Sequence, residues 1–320
     1  MKRFAIGVDL GGTNLRIAAV DETGRMLEKL ALATKSDRDR TTVLRDMCEA
    51  IQGVRAKLES AGTLAGVGVG VPGILYVETG VLRQSPNLPG WENFPVRAEI
   101  EGILKTSVRL DNDANVAALG EKRWGAGRDA ASLCMLTLGT GVGGGLILDG
   151  KIWHGFLGMA GELGHMVVNE NGVDCPCGGK GCLETESSGT AIVRKARLAL
   201  AAGRSPALAA LEREGKEITA KQVGQAAQAG DAASKEVYES AGRYLGIGLA
   251  NLVNALNLPL YVIGGGVAKD WDLFAPAMLE ELRRRSYIFR EGSTRVERSR
   301  LGGDAGLYGA ASLGLPEGAG

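Results

Sequence analysis

One histidine and three cysteines lie within eighteen consecutive positions of this chain. His165 is one of only two histidines in 320 residues, and Cys175, Cys177 and Cys182 are three of the five cysteines. One nitrogen and three sulfur ligands are typical of a closed, tetrahedral zinc site. The C-x-C-x4-C spacing is not the usual zinc-finger spacing. Three ordinary thiols, or one disulfide and a spare cysteine, therefore remain as alternatives to zinc.

The residues around these cysteines favour the metal site. Glycines between positions 178 and 181 would let a short loop bring all three sulfurs to one ion. Glu162 precedes His165 by three residues, and Glu184 follows Cys182 by two. A metal-bound loop would hold both carboxylates rigidly, which predicts that they line a substrate-binding wall.

Three glycine-rich turns each follow a predicted strand, at residues 9–13, 139–145 and 264–266. Glycine lets backbone N–H groups approach phosphate oxygens closely. A single turn of this kind would indicate only a hairpin, but three together predict a cleft for nucleotide phosphates. Asp9 suits water-mediated binding of Mg²⁺, which takes few carboxylates; alternatively, Asp9 simply ends a strand.

Two common nucleotide motifs are excluded by their context. Residues 139–144 match the dinucleotide pattern G-x-G-x-x-G formally, but that pattern requires a helix to follow. The following residues read GLILDG and predict a strand instead. The P-loop is also missing, because no Gly-Lys pair is followed by Ser or Thr.

Asp113 lies where a predicted strand meets a predicted helix. Its simplest role is an N-cap, because Asp accepts hydrogen bonds from the first N–H groups of a helix. A carboxylate beside phosphate loops can instead accept the proton of an attacking hydroxyl, which is the base that phosphoryl transfer requires. We therefore predict a general base at Asp113, with Asn112 positioning the same hydroxyl.

Apolar patterning predicts the elements that position these residues. The expected strands cover residues 4–8, 15–20, 26–33, 64–71, 108–110 and 258–263. The expected helices cover residues 41–60, 95–105, 114–124, 231–257, 272–286 and 306–313. Residues 132–149 repeat the opening of the chain, since a shift of 128 positions superposes Gly11 on Gly139 and Asp21 on Asp149. This repeat predicts two related domains.

Composition narrows the class of protein. The 37 basic and 37 acidic residues cancel, and no basic stripe is present, so we expect no nucleic acid as partner. Arg283–Arg285 has the pattern of a solvated helix face. No apolar segment approaches the ~18 residues that span a bilayer, so we expect no membrane partner. Clustered cysteines without an export signal favour a cytoplasmic protein.

The motifs taken together resemble the ROK family (repressor, open reading frame, kinase), within the actin/hexokinase/Hsp70-like fold. The resemblance covers about residues 4–315, and the joint order of the motifs is what makes it specific. The motifs are DLGGTNLR at 9–16, GVPG at 70–73, NLPGW at 87–91, DNDANVAALGE at 111–121, LGTGVGGG at 138–145, GMAGELGH at 158–165, CPCGGKGCLE at 175–184 and IGGGVA at 263–268.

The resemblance implies a role for each matching residue. Asp113 matches the catalytic base. The phosphate and adenosine loops correspond to Asp9, Gly11, Gly12, Thr13, Thr140, Gly141, Gly264, Gly265 and Gly266. Positions that bind sugar hydroxyls correspond to Gly73, Asn87, Asn112, Asp113, Glu162, His165 and Glu184. The zinc ligands correspond to His165, Cys175, Cys177 and Cys182. One nitrogen of His165 would bind zinc, and we expect the other to donate to a sugar hydroxyl.

The implied fold is α/β, with two RNase H-like domains and the active cleft between them. We expect the small domain to cover residues 1–115, with a C-terminal helix at about 304–320 returning to it, and the large zinc-bearing domain to cover 116–303. The NLPGW motif is most similar to bacterial glucokinases of the family. The implied reaction is phosphorylation of the 6-hydroxyl of glucose, with ATP, Mg²⁺ and Zn²⁺.

Other members of the family give alternatives. Fructose, mannose, N-acetylglucosamine or N-acetylmannosamine would differ from glucose in a few hydroxyl contacts. A sugar-sensing repressor would carry a DNA-binding winged helix before Asp9, where we expect no room for one. An actin-like filament protein would have no reason to keep Asn87, Glu162, Glu184 and the cysteines. The family also suggests a homodimer or homotetramer.

Overall fold

Two five-stranded mixed sheets form the framework of the computed structural model, which describes residues 3–316. The strands are β1 (Arg3–Leu10), β2 (Asn14–Asp21), β3 (Met26–Ala33), β4 (Thr63–Val71), β5 (Ile74–Tyr76), β6 (Val81–Gln84), β7 (Val108–Asn112), β8 (Leu133–Leu138), β9 (Val142–Leu148), β10 (Lys151–Ile152), β11 (Leu260–Gly264) and β12 (Arg295–Arg298). The helices are α1 (Arg40–Lys57), α2 (Val96–Leu104), α3 (Asp113–Trp124), α4 (Leu183–Ser187), α5 (Gly189–Ala201), α6 (Pro206–Arg213), α7 (Ala220–Gln228), α8 (Ala232–Leu256), α9 (Trp271–Arg285), α10 (Tyr287–Arg290) and α11 (Ala305–Gly314).

Both sheets have the same order of strands, as the internal repeat predicts. The first sheet runs β3-β2-β1-β4-β7, and the second runs β10-β9-β8-β11-β12. In the first sheet β1 pairs antiparallel with β2 and parallel with β4. The first sheet thus begins with an antiparallel meander and continues with parallel strands that require crossover connections. In the second sheet β10 pairs antiparallel with β9, and β11 pairs parallel with β12.

The two faces of β1 contribute to different cores, because successive side chains of a strand point to opposite faces. Phe4, Ile6 and Val8 share a buried cluster with Met47 of α1 and Ile100 of α2. On the other face, Ala5 joins a second cluster with Leu307 and Ala311 of α11. Helices therefore cover both faces of the first sheet.

Small residues let α11 lie directly on the first sheet. A Cβ atom added at Gly68 of β4 would come 1.9 Å from the Ala310 carbonyl oxygen. The helix is equally close to α3, since a Cβ atom added at Gly309 would lie 1.5 Å from the Val116 carbonyl oxygen. Because backbone atoms cannot move aside cheaply, these positions tolerate only glycine.

A buried carboxylate joins the end of α3 to the segment before α11. Glu121 is fully buried and accepts hydrogen bonds from the Ala126 N–H at 2.8 Å and the Leu301 N–H at 2.9 Å. The Arg300 N–H donates to the same carboxylate at 3.2 Å. A buried charge is tolerated when such donors replace its water, so Glu121 stabilises this return of the chain.

Packing divides the described chain into two compact units. The first contains residues 3–135, 145–161 and 299–316, and the second contains 136–144 and 162–298. Residues 116–135 pack with the first unit through α3, whereas the sequence analysis assigned them to the large domain. The two packing units thus have other limits than the predicted domains, whose boundaries at 115 and 303 remain a prediction. Among the described residues, no helix has the length and apolar character needed to cross a membrane.

The predicted elements agree with the observed ones in order and type, with small shifts at their ends. The strand that follows the second glycine turn is β9, which confirms that the turn is not a dinucleotide motif. The last helix covers Ala305–Gly314, one residue longer at each end than the predicted helix at 306–313 and within the broader C-terminal segment predicted at about 304–320. Residues 317–320 lie outside the described part of the chain.

Candidate active site

The single histidine and three cysteines predicted to bind zinc lie together in the second unit. Their ligand atoms all lie within 4.8 Å of one another. The Cys175 Sγ lies 3.6 Å from His165 Nδ1, and the Sγ atoms of Cys177 and Cys182 are 3.7 Å apart. All three cysteines are free thiols. One nitrogen and three sulfurs around a common centre match the donor set of a tetrahedral zinc ion.

A tight backbone turn brings these sulfurs together. The Gly178 N–H donates to the Cys175 carbonyl, and the Cys175 N–H donates to the Gly179 carbonyl. Gly178 has a φ of +91°, a conformation that residues with a Cβ atom rarely adopt. The glycine between the cysteines is thus required by the turn, as the sequence analysis predicted.

The ring orientation of His165 separates its two nitrogens. Nδ1 faces the sulfur cluster, and Nε2 lies 3.8 Å from Glu162 Oε2. Nε2 is therefore the nitrogen left for a hydrogen bond outside the cluster. Glu162 is exposed, so its carboxylate is accessible beside that nitrogen.

Glu184 connects the cysteine loop to the second glycine turn. Cys182 is the N-cap residue of α4, and Glu184 lies in the first turn of that helix. Glu184 Oε2 accepts a hydrogen bond of 2.9 Å from the Val142 N–H. A Cβ atom added at Gly141 would lie only 2.2 Å from the same oxygen. The predicted sugar ligand and the predicted phosphate turn are thus in direct contact.

The third glycine turn lies beside the second one in the second unit. Gly265 has a φ of +87°, and a Cβ atom there would lie 2.4 Å from the Leu138 carbonyl oxygen at the end of β8. Gly264 ends β11, and Gly266 precedes a 3-10 helix that begins at Val267. The ends of β8 and β11 thereby bring Gly264–Gly266 next to the turn that contains Thr140.

The first glycine turn contacts a predicted sugar ligand of the first unit. A Cβ atom added at Gly12 would lie 2.7 Å from the Asn87 carbonyl oxygen. The turn itself closes through the Gly11 N–H, which donates to the Asn14 carbonyl at 2.9 Å, and Thr34 donates its N–H to the Thr13 carbonyl. Gly12 and Asn87 are therefore neighbours although 75 positions separate them in sequence.

Asp9 has a partner that the sequence analysis missed. Arg16 lies opposite Asp9 in the antiparallel register of β1 and β2, and the two side chains form an ion pair. Arg16 belongs to the motif DLGGTNLR. The sequence could have indicated the ion pair, because Asp9 and Arg16 flank one predicted turn between two strands and so lie opposite each other. The guanidinium places a positive charge beside the carboxylate predicted to hold Mg²⁺.

Asp113 is the first residue of α3, but it is not the capping residue. The N-cap is Asn112, whose Oδ1 accepts hydrogen bonds from the Ala114 N–H at 2.9 Å and the Asn115 N–H at 3.4 Å. The Asn112 side-chain amide also donates to the Gly73 carbonyl at 3.2 Å. Asp113 Oδ1 accepts from the Ala114 N–H at 2.9 Å. Gly73, Asn112 and Asp113 are thus brought together at the end of β7.

A buried carboxylate adjoins this junction and was not predicted to have a role. Asp111 Oδ1 accepts hydrogen bonds from the Asn112 N–H and from the Asn115 side-chain amide. Asp111 Oδ2 lies 2.7 Å from His154 Nε2. The hydrogen bond to Asp111 raises the pKa of His154 above 6.5, which outweighs the opposing effect of burial.

The remaining cysteines are unlike those of the cluster. Cys48 and Cys134 are core residues, and burial raises the pKa of their thiols to about 11 and about 12 respectively. Such thiols stay protonated near neutral pH and react slowly.

Comparison with known proteins identifies the family. The chain matches the ROK family over residues 5–316 and belongs to it. Its fold is therefore the two-domain, actin-like fold of the ROK sugar kinases.

Particular relatives cover nearly the whole chain. A glucokinase from Halalkalibacterium halodurans is 37% identical over 313 residues, covering 97% of this chain and 94% of that protein. A ROK family glucokinase from Streptomyces griseus, solved in complex with glucose and AMPPNP, is similar with a TM-score of 0.82 and 33% identity, covering 97% of this chain and 98% of that chain. A xylose repressor from Caldicellulosiruptor bescii is 31% identical over 309 residues, covering 96% of this chain and 77% of that protein.

Proposed function

We propose that this protein is an ATP-dependent hexose kinase that transfers the γ-phosphoryl group of ATP to the 6-hydroxyl of glucose. The observation that carries the proposal is the junction of β7 and α3, where Asp113 begins a helix beside Asn112 and Gly73. In a chain similar to glucokinases over 97% of its length, a carboxylate at this junction is the candidate base.

The first unit carries the proposed base and several of the proposed sugar ligands. Asp113 accepts the proton of the 6-hydroxyl, the sugar oxygen forms a bond to the γ-phosphorus, and the bond from that phosphorus to the bridging oxygen of ADP breaks. Gly73, Asn87 and Asn112 bind other groups of the sugar in this proposal. Gly12 and Thr13 provide donors for phosphate oxygens in this proposal, and Gly11 holds the shape of their turn through its N–H bond to the Asn14 carbonyl.

The second unit, taken by itself, carries proposed sugar ligands and two proposed phosphate turns. Glu162 and Glu184 accept hydrogen bonds from sugar hydroxyls, and His165 donates to one through Nε2. Thr140 and Gly141 bind phosphates, and Gly264–Gly266 lies on the adenosine side. Zinc bound by His165 and the three cysteines would be structural, because four protein ligands leave no open position for substrate.

Magnesium completes the charge balance of the reaction in this proposal. When bound with ATP, Mg²⁺ neutralises negative charge on the phosphates that take part in the transfer. Asp9 would bind it through water, and Arg16 fixes the position of that carboxylate through the observed ion pair.

A sugar panel tests the proposal. ADP release is measured with ATP and Mg²⁺ on glucose, mannose, fructose, N-acetylglucosamine and N-acetylmannosamine. We expect glucose to give the highest kcat/KM, because a site that hydrogen-bonds hydroxyls discriminates strongly against a misplaced one. A higher kcat/KM on another sugar would keep the phosphotransfer and replace the substrate.

The similarity to a xylose repressor gives a second candidate function, sugar sensing without catalysis. That function predicts that glucose or another sugar binds and raises the melting temperature, while ADP release stays at the level without sugar. Sugar-dependent ADP release would exclude it as the sole function. The reaction consumes ATP and the metal cluster contains three thiols, so we assign the protein to the cytoplasm; assembly into a homodimer or homotetramer stays a prediction.

A further inference from the structure

The backbone of Val142 contacts both segments that carry the proposed sugar ligands of the second unit. Its N–H donates to Glu184 Oε2 at 2.9 Å. A Cβ atom added at Gly164, next to His165, would lie 2.1 Å from the Val142 carbonyl oxygen. The residue that closes the second phosphate turn is therefore enclosed by the GELGH segment and by the first turn of α4.

The carbonyl groups of this turn are already bound to the protein. The Gly139 carbonyl accepts from the Gly189 N–H at 2.8 Å, and the Thr140 carbonyl accepts from the Thr190 hydroxyl at 2.8 Å. The Gly141 carbonyl accepts from the Gly139 N–H at 2.9 Å. With these acceptors satisfied by protein donors, the turn is suited to present N–H groups to an anion.

Glycine at position 141 leaves room for the carboxylate of Glu184 in its observed position. The 2.2 Å approach of a Cβ atom to Glu184 Oε2 means that even alanine would displace the carboxylate. In the first unit, Gly12 of the first phosphate turn also lies against a proposed sugar ligand, there the backbone carbonyl of Asn87. In each unit a proposed sugar ligand thus lies against a glycine of a phosphate turn.

We infer that Glu184 is a positioning residue for the phosphate turn in addition to a ligand of the sugar. One carboxylate oxygen holds the Val142 N–H and thereby fixes the turn that binds the nucleotide phosphates, while Oε1 remains for a sugar hydroxyl. The inference rests on the proposed function for the identity of both ligands. Because binding couplings are reciprocal, any change in nucleotide affinity caused by sugar at Glu184 is matched by an equal change in sugar affinity caused by nucleotide.

Two substitutions of Glu184 separate positioning from sugar binding. Glu184→Gln keeps an oxygen that accepts from the Val142 N–H, whereas Glu184→Ala removes it. Glu170→Ala is the control, since Glu170 is an exposed carboxylate of the same segment. The dissociation constant of AMPPNP with Mg²⁺ is measured by calorimetry without sugar, and that of glucose is measured separately. Zinc content and melting temperature verify that each variant is folded.

We expect Glu184→Ala to weaken AMPPNP binding without sugar by about tenfold, the effect of losing one hydrogen bond to a charged group. The AMPPNP dissociation constant of Glu184→Gln should stay within about threefold of the wild-type value. That of Glu170→Ala should equal the wild-type value. An unchanged AMPPNP dissociation constant in folded Glu184→Ala overturns the inference, whatever happens to glucose. If the wild type binds AMPPNP but no hexose, the proposed function fails while the positioning role is still decided by the nucleotide measurement.

A second pair of variants decides the case if Glu184→Ala does not fold. Gly141→Ala should weaken AMPPNP binding by displacing the carboxylate without removing it. Gly141→Ala combined with Glu184→Met, which has no oxygen to accept from the Val142 N–H, should bind AMPPNP no more weakly than either single variant, since both changes act through one hydrogen bond. Fully additive losses in the double variant would contradict the positioning role.

Discussion

At the scale of single residues, the junction of β7 and α3 divides its work between neighbouring side chains. Asn112 caps helix α3, and the carboxylate of Asp111 is buried beside the same junction. Asp113 is therefore not needed as the helix cap. The sequence allowed Asp113 to be either cap or base. The sequence analysis considered only Asp113 as the cap; the structure gives that role to Asn112, a residue type that caps helices as well as Asp does.

We predict that Asp113→Asn lowers kcat by at least ~10²-fold, the usual contribution of a general base, while glucose still binds. The amide keeps the size and the hydrogen bond of the carboxylate but cannot accept the proton. Steady-state kinetics and calorimetry with glucose measure the two effects. Asp149→Asn, in an exposed turn, is the control and should keep full activity. A kcat of Asp113→Asn near that of the wild type would remove Asp113 from the mechanism.

The His154–Asp111 pair gives the protein a pH-dependent contribution to stability. The raised pKa of His154 means that the folded state binds the imidazole proton more tightly than the unfolded state does. The contribution is therefore fully present below pH ~6.5 and is lost as the pH rises through the raised pKa of His154.

We predict that His154→Gln is less stable than the wild type at acidic pH, where the wild type has the full contribution of the pair. The two urea midpoints should therefore differ most at acidic pH and converge at alkaline pH. An NMR titration of the imidazole in the wild type measures the pKa directly. Asp111→Asn should move that pKa down, because the charged partner is removed. A His154 pKa at or below 6.5 in the wild type would show that the pair is not formed.

At the scale of elements, the arrangement of the cysteine loop is set by four converging side chains, whereas the packing of α11 requires glycines that have no side chain. The loop has short backbone turns and needs its four ligands to converge. Helix α11 lies so close to β4 and α3 that glycine is required at the contacts. The sequence predicted the ligands because rare residue types occur together. It could not predict the helix contacts, because a glycine in a strand gives no indication of its distant neighbour.

We predict that the wild type contains about one zinc ion per chain and that Cys177→Ser retains little of it, because serine is a poor substitute for a thiolate ligand. Mass spectrometry of the metal content and thermal melting measure the result, and the melting temperature should fall with zinc. Cys48→Ala is the control; it removes a buried core thiol and should keep the zinc. Equal zinc in Cys177→Ser and Cys48→Ala would mean that the cluster is not the metal site.

We predict opposite effects on stability for two glycine substitutions in helices. Gly309→Ala should lower the free energy of unfolding by about 1–3 kcal/mol, because its Cβ atom would collide with the Val116 carbonyl oxygen. Gly53→Ala should raise it by roughly 0.5–1 kcal/mol, since that position of α1 is exposed and a Cβ atom there meets nothing within 4 Å. Urea denaturation measures both. A neutral Gly309→Ala would contradict the close packing of α11.

At the scale of the whole molecule, the internal repeat explains why so much of the fold follows from the sequence. Two copies of one strand-turn-strand opening give two sheets with the same order of strands. Contacts between residues that are distant in sequence are less predictable. Glu184 with Val142 and His154 with Asp111 are separated by 42 and 43 positions, and only tertiary folding brings them together. Short elements without strong periodicity, such as β5, β6 and β12, were also missed.

The proposed activity of the whole protein is one chemical event, the transfer of a phosphoryl group from ATP to the 6-hydroxyl of glucose. The most direct measurement is phosphorus and carbon NMR of a reaction containing the protein, ATP, Mg²⁺ and ¹³C-labelled glucose. We predict that ADP and glucose 6-phosphate form in equal amounts and that omission of glucose prevents ADP formation. Inorganic phosphate instead of a sugar phosphate, phosphate on another hydroxyl, or no turnover by folded, zinc-containing protein would contradict the account.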